Sequence, residues 1–142
     1  MRWERTAGAT SAASAERVWA VLLDGRRWSL WNPGVEWMTI EGPLRPGTVV
    51  TLKPKGAPQT ALRIAEVRER EKLELVVTFG PLAALRLGWS LVTANGGTAI
   101  AQTVGIEGPL ASVLLRRAAE RIARGMEENL QRLAARALER PG

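Results

Sequence analysis

The sequence predicts an α+β domain in which a curved antiparallel sheet of about seven strands wraps around one long C-terminal helix, in the order β-α-α-β6-α. Three observations carry this expectation. Short extended segments separated by turn residues fill the middle of the chain, from Val35 to Glu107. A stretch without helix breakers follows, from Pro109 to about Glu139, with an apolar stripe along it. The only apolar surface available to receive that stripe is one face of the sheet, so the sheet must close over the helix.

In chain order, Arg2 to Thr10 alternates weakly and reads as a first strand. Ser14 fits a helix N-cap, with Glu16 in the favourable first turn and Val18, Trp19, Val21 and Leu22 as the apolar stripe. This helix ends near Asp24-Gly25. A second helical turn or two covers Trp28 to Trp31, and Asn32-Pro33-Gly34 stops it, because proline cannot continue the hydrogen-bond ladder.

Six strands are then expected at Val35 to Glu41, Thr48 to Lys53, Gln59 to Val67, Leu73 to Phe79, Leu85 to Val92 and Thr98 to Glu107. Asn95-Gly96-Gly97 is the clearest hairpin signal, and connections this short require antiparallel pairing. The tripeptide Gly-Pro-Leu occurs at Gly42, Gly80 and Gly108 with unequal spacing, so it punctuates elements and does not mark a repeat. The final segment is expected to be a single helix about 45 Å long. Its stripe is Leu110, Leu114, Ala118, Ile122, Met126, Leu130 and Leu133, widened by Val113, Ala119 and Ala137.

Composition limits the chemistry. At 142 residues with 46% hydrophobic and 24% charged residues, one domain with a real core is expected, residues 1–142. With no His, Cys or Tyr, the chain cannot build a Ser-His-Asp triad, a cysteine nucleophile, an imidazole or thiolate metal site, or a phenolic acid. Neither a metal nor a cofactor is expected. No apolar run approaches a membrane span and the first residues lack a secretion signal, so a cytoplasmic protein is expected. The net charge of +6 is spread along the chain, with its densest set at Arg116, Arg117, Arg121, Arg124, Arg132, Arg136 and Arg140. Interspersed glutamates and the lack of aromatic residues there favour a solvated helix face over a surface for nucleic acid or anionic headgroups.

The order of these elements and several local motifs resemble the START-like, polyketide cyclase/dehydratase superfamily, also called SRPBCC, with its helix-grip fold. The resemblance rests on Ser14 to Trp19, Asp24 to Trp28, Trp31 to Val35, Gly42 to Thr48, Gly96-Gly97-Thr98 and Gly108-Pro109-Leu110, in that order. It implies a deep cavity between sheet and terminal helix. Members mostly bind hydrophobic molecules such as lipids, sterols, polyketides or quinones; others are cyclases and dehydratases, or co-chaperone and ribosome-associated proteins. Cyclase-type members generally place acid-base groups in the cavity, often including the His and Tyr that this chain lacks.

Strand parity then suggests the lining. Leu85, Leu87, Trp89 and Leu91 share one face of their strand, as do Ile100, Gln102, Val104 and Ile106 of the next, leaving Gln102 as the main hydrogen-bonding handle. Arg63 and Glu66 alternate with Leu62 and Ile64, so at most one of the two faces inward unless a bulge intervenes. The candidate ligand-binding set is Trp31, Leu62, Ile64, Phe79, Leu87, Trp89, Gln102, Val104, Leu114, Ala118, Ile122 and Met126. The leading expectation is a module that binds a hydrophobic small molecule. An enzyme with Glu or Asp as base and Arg63 or Gln102 steadying an enolate is the second, and an interaction protein the third.

Overall fold

The computed structural model describes residues 2–139. Its strands are β1 (Arg2–Ser11), β2 (Val35–Ile40), β3 (Val49–Pro54), β4 (Thr60–Arg68), β5 (Lys72–Phe79), β6 (Ala83–Ala94) and β7 (Gly97–Glu107). Helix α1 (Ala15–Leu23) and a 3₁₀ segment (Gly25–Leu30) link β1 to β2, and α2 (Ala111–Leu114) and α3 (Arg116–Arg136) follow β7. All neighbouring strands are antiparallel, in the order β1-β7-β6-β5-β4-β3-β2. The curled sheet grips α3, as the sequence predicts.

Local chemistry explains the elements. The Ser14 hydroxyl accepts from the Arg17 N–H at 3.3 Å, capping α1, whose Val18, Trp19 and Leu22 enter the core. In β6 and β7 the alternation holds without interruption: Leu85, Leu87, Trp89 and Leu91 are buried, as are Ile100, Gln102, Val104 and Ile106. In β4 it does not. A bulge between Ile64 and Glu66 inserts one residue, so that Leu62, Ile64 and then Val67 face the core, while Arg63 and Glu66 both stand on the outer face.

The C-terminal helix departs from the expected single rod. At Leu115 the backbone (φ −123°, ψ −13°) leaves the helical region and separates α2 from α3. The break shifts the inward stripe by one residue at the start, so Ala111, Leu115 and Ala119 are buried where Leu110, Leu114 and Ala118 were expected. Further along, Met126, Leu130, Leu133, Ala134 and Ala137 hold the core as amphipathicity demands.

Antiparallel pairing sorts the connections between two ends of the sheet. Residues 12–14, 41–48, 69–71 and 95–96 lie at one end, and residues 32–34, 55–59, 80–82 and 108–110 at the other. The first end is sealed. Ser11 Oγ donates to the Ala134 carbonyl at 2.7 Å and accepts from the Ala13 N–H at 3.1 Å, and Thr98 Oγ1 donates to the Ala13 carbonyl at 2.8 Å. Gly97 is needed there because any Cβ would overlap the Ser11 carbonyl. Ser11, Thr98 and Gln102 are the buried polar residues among those described, and the first two are satisfied at this end.

Candidate ligand-binding cavity

A cavity of about 490 Å³ lies between the sheet and α3. Its sheet wall is Leu87 and Trp89 of β6, Gln102 of β7, and Val35, Leu52 and Pro54 of β2 and β3. The helix wall is Ala118, Ile122, Gly125, Met126 and Asn129 of α3, and the segment Asn32-Pro33-Gly34 closes one flank. Asn129 Nδ2 donates to Asn32 Oδ1 at 3.2 Å, tying helix to flank. Gly125 removes a side chain from the wall, and a Cβ there would meet nothing nearer than the Asn129 amide at 3.4 Å. Charged groups are confined to Arg121 and to Glu128 and Arg132, which pair with each other at 2.6 Å.

Trp28 forms part of the lining and is fixed in position. Its indole N–H donates to the Leu22 carbonyl at 2.8 Å, and its ring packs 4.9 Å from Trp31 and edge-on to Trp89 at 5.5 Å. The 3₁₀ segment that carries Trp28 can lie this close to β2 only because Gly25 has no side chain; a Cβ would collide with the Met38 backbone.

Gln102 sits opposite Trp89 across the β6–β7 ladder. It is the third buried polar residue, yet its amide makes no hydrogen bond to another described residue, and it lines the cavity. The buried Trp89 indole N–H is also without a partner. The Trp89 N–H has no surface open to the cavity, whereas the Gln102 amide offers donor and acceptor capacity to whatever occupies the space.

The model of the family described as polyketide cyclase / dehydrase and lipid transport matches residues 2–138. The chain belongs to this family. No curated protein matches the sequence. Among solved structures, the Zhui aromatase/cyclase from Streptomyces sp. R1128 superposes with a TM-score of 0.71 at 16% identity, covering 96% of this chain and 94% of that one. Ara h 8.0201 gives 0.70 at 14% identity over 97% and 99%, and TTHA0849 from Thermus thermophilus gives 0.67 at 20% identity over 96% and 97%. At such identities the likeness is one of fold.

In this member of the polyketide cyclase/dehydrase family, six residues of the candidate set line the cavity: Leu87, Trp89, Gln102, Ala118, Ile122 and Met126. Leu62, Ile64 and Val104 face inward but are packed into the core away from it. Trp31 is also a core residue, at 1% exposure, and the lining tryptophan of the pair is Trp28. Phe79 and Leu114 stand outside, 47% and 49% exposed. Phe79 has the inward parity of Leu73 and Leu75 but lies at the end of β5, and Leu114 is turned out by the break at Leu115. The loop-borne wall, Asn32 to Gly34 with Ala57, was missed because loops have no periodicity to read.

The groups considered for enolate chemistry are elsewhere. Arg63 donates to the Gly47 carbonyl on the outer face, Glu66 pairs with Lys72, and Asp24 pairs with Arg27. On the outer face a hollow of about 450 Å³ is rimmed by Lys72, Glu74, Arg86 and Glu107. Arg86 bonds Glu107 at 2.9 Å and Glu74 at 3.0 Å. The hydrogen bond to Glu107 raises the Arg86 pKa, and the same bond lowers that of Glu107 below the usual carboxylate range. Among the described residues no three carboxylates, histidines or cysteines cluster as a metal site would need, and no helix is long and apolar enough to cross a membrane.

Proposed function

We propose that the protein binds a hydrophobic small molecule, of lipid, polyketide or quinone type, in the cavity between the sheet and α3. One observation carries this reading: an apolar, aromatic lining interrupted on the sheet side by a single buried amide, Gln102, that the protein leaves without a partner. Apolar burial supplies the affinity, and the Gln102 amide orients a carbonyl or hydroxyl group of the ligand. Leu87, Trp89, Gln102, Ala118, Ile122 and Met126 are the proposed contacts, with Trp28 in place of Trp31.

The test is a thermal-shift and tryptophan-quenching screen against fatty acids, aromatic polyketides and quinones. Stabilisation by one class is the expected result, and no stabilisation by any of them overturns the reading. Gln102→Leu should weaken oxygen-bearing ligands by about tenfold, the worth of one buried hydrogen bond, while leaving an oxygen-free hydrocarbon probe unaffected.

Family membership also supports a cyclase or dehydratase reading. It depends on Glu128, the one carboxylate in the lining among the described residues. Its discriminator is turnover of a poly-β-carbonyl substrate that Glu128→Gln abolishes; turnover unchanged in that variant excludes Glu128 as the base.

A further inference from the structure

Leu75 to Leu85 and Gly108 to Leu115 are two of the uncharged stretches of the sequence, and each contains one of the Gly-Pro-Leu tripeptides. The fold brings them together at the unsealed end of the sheet. The Leu110 N–H donates to the Leu82 carbonyl at 3.0 Å. Gly108, at φ +116°, admits this contact, since a Cβ there would strike the same carbonyl. The result is an exposed apolar patch made of Phe79, Leu82, Leu110, Val113 and Leu114, five of the eight large hydrophobic residues exposed among those described. Val113 is 80% exposed. Isolated exposed apolar residues need no explanation; a cluster drawn from two uncharged segments does.

The surroundings indicate what covers it. The patch adjoins the cavity: Ala118, one turn beyond Leu114, is exposed and lines the cavity with Arg121. The loop at residues 55–59 lies at the same end, where the Lys55 N–H donates to the Gly34 carbonyl at 2.9 Å. Acids near this end are occupied, Glu36 by Lys53, Glu107 by Arg86 and Glu120 by Arg116. Lys55, Arg117 and Arg121 form no ion pair among the described residues, so the apolar patch carries a rim of unneutralised positive charge. A second copy docking face to face would set these like charges against each other. A surface of anionic headgroups over an acyl boundary complements both rim and patch.

We propose that this end of the molecule docks on an anionic lipid bilayer surface, with Phe79, Leu82, Leu110, Val113 and Leu114 entering the headgroup–acyl boundary and Lys55, Arg117 and Arg121 meeting lipid phosphates. The docking stands on the patch and its charges alone. Its consequence, that an apolar occupant passes between cavity and bilayer without crossing water, rests on the binding reading above.

Co-sedimentation of the full chain with vesicles tests it, using phosphatidylcholine alone and phosphatidylcholine containing phosphatidylglycerol, at low and high salt. The expected result is binding to the phosphatidylglycerol vesicles that weakens with salt and falls about tenfold in Val113→Glu, with Arg117→Glu weakening it as well. Both positions are exposed, so unchanged melting curves should show that the variants fold. No binding to either vesicle, equal binding to both, or full binding by Val113→Glu overturns the proposal. So does a dimer in sedimentation velocity that Val113→Glu dissociates, which would assign the patch to a second copy. Ligand stabilisation in vesicle-free solution reports on the cavity separately, so the two readings fail independently.

Discussion

The two ends of the sheet are closed by opposite means. At one, Ser11, Thr98 and Gly97 lock β1, the β6–β7 hairpin and the end of α3 into neutral, fully satisfied hydrogen bonds and close backbone packing. At the other, the cavity opens beside exposed apolar residues, and ordering comes from the Asn32–Asn129 contact and from ion pairs such as Arg86–Glu107. The difference teaches where the fold invests stability and where it leaves surface for a partner. The Ser11 and Thr98 hydroxyls are satisfied at the sealed end, whereas the Gln102 amide, which bonds no other described residue, faces the cavity; the indole N–H groups of Trp3, Trp31 and Trp89 are buried without partners.

Gly97→Ala should break the sealed end most severely, because the new Cβ overlaps the Ser11 carbonyl and the backbone must move. We expect a loss of about 3 kcal/mol, the upper end for overpacking, read from urea denaturation. A loss below about 1 kcal/mol would mean that this end is not rigid. Ser11→Ala comes next. It leaves the Ala134 carbonyl and the Ala13 N–H without their side-chain partner, costing about 2 kcal/mol, and this cost should not vary with pH because no titrating group is involved. Val113→Ala, by contrast, should leave stability within about 0.5 kcal/mol, as expected of an exposed side chain.

The smallest effect sharpens the contrast through pH. The folded-state pKa of Glu107 is lowered by its hydrogen bond to Arg86, so its contribution is present above the unfolded carboxylate value, about 4.3, and is lost as pH falls through the lowered folded value. Wild type should therefore lose stability in acid slightly more steeply than Glu107→Gln, with the two melting curves converging at the acid end. Identical pH profiles would show that the outer-face ion pairs do not contribute.

Periodicity made much of this architecture legible. The faces of β6 and β7 follow from strict alternation at Leu85 to Leu91 and Ile100 to Ile106, and the core half of α3 follows from Met126, Leu130 and Leu133. Features set by tertiary context were not legible. The break at Leu115 has no glycine or proline to announce it, and the bulge in β4 reversed the face of Glu66 without any local signal. Parity placed Phe79 on the inward face but could not show that the end of β5 outruns the helix that covers it. Choosing Trp28 over Trp31 requires the rotation of a 3₁₀ turn, which Gly25 controls through its contact with β2. The tripeptides at Gly80 and Gly108 were visible as punctuation; their meeting across the open end depends on the register of β5, β6 and β7.

The pairing of Arg2 with Glu107 puts the start of β1 at the open end, whereas the Arg17 guanidinium holds the Glu139 carbonyl on the other side of the molecule. Arg2 and Glu139 therefore lie at opposite poles. A fluorophore placed at Arg2 would sit at the open end of the sheet, whereas one placed at Glu139 would sit at the sealed end. Immobilisation through a side chain at Glu139 would present the open pole to solution, which is the orientation a surface-based ligand or vesicle assay requires.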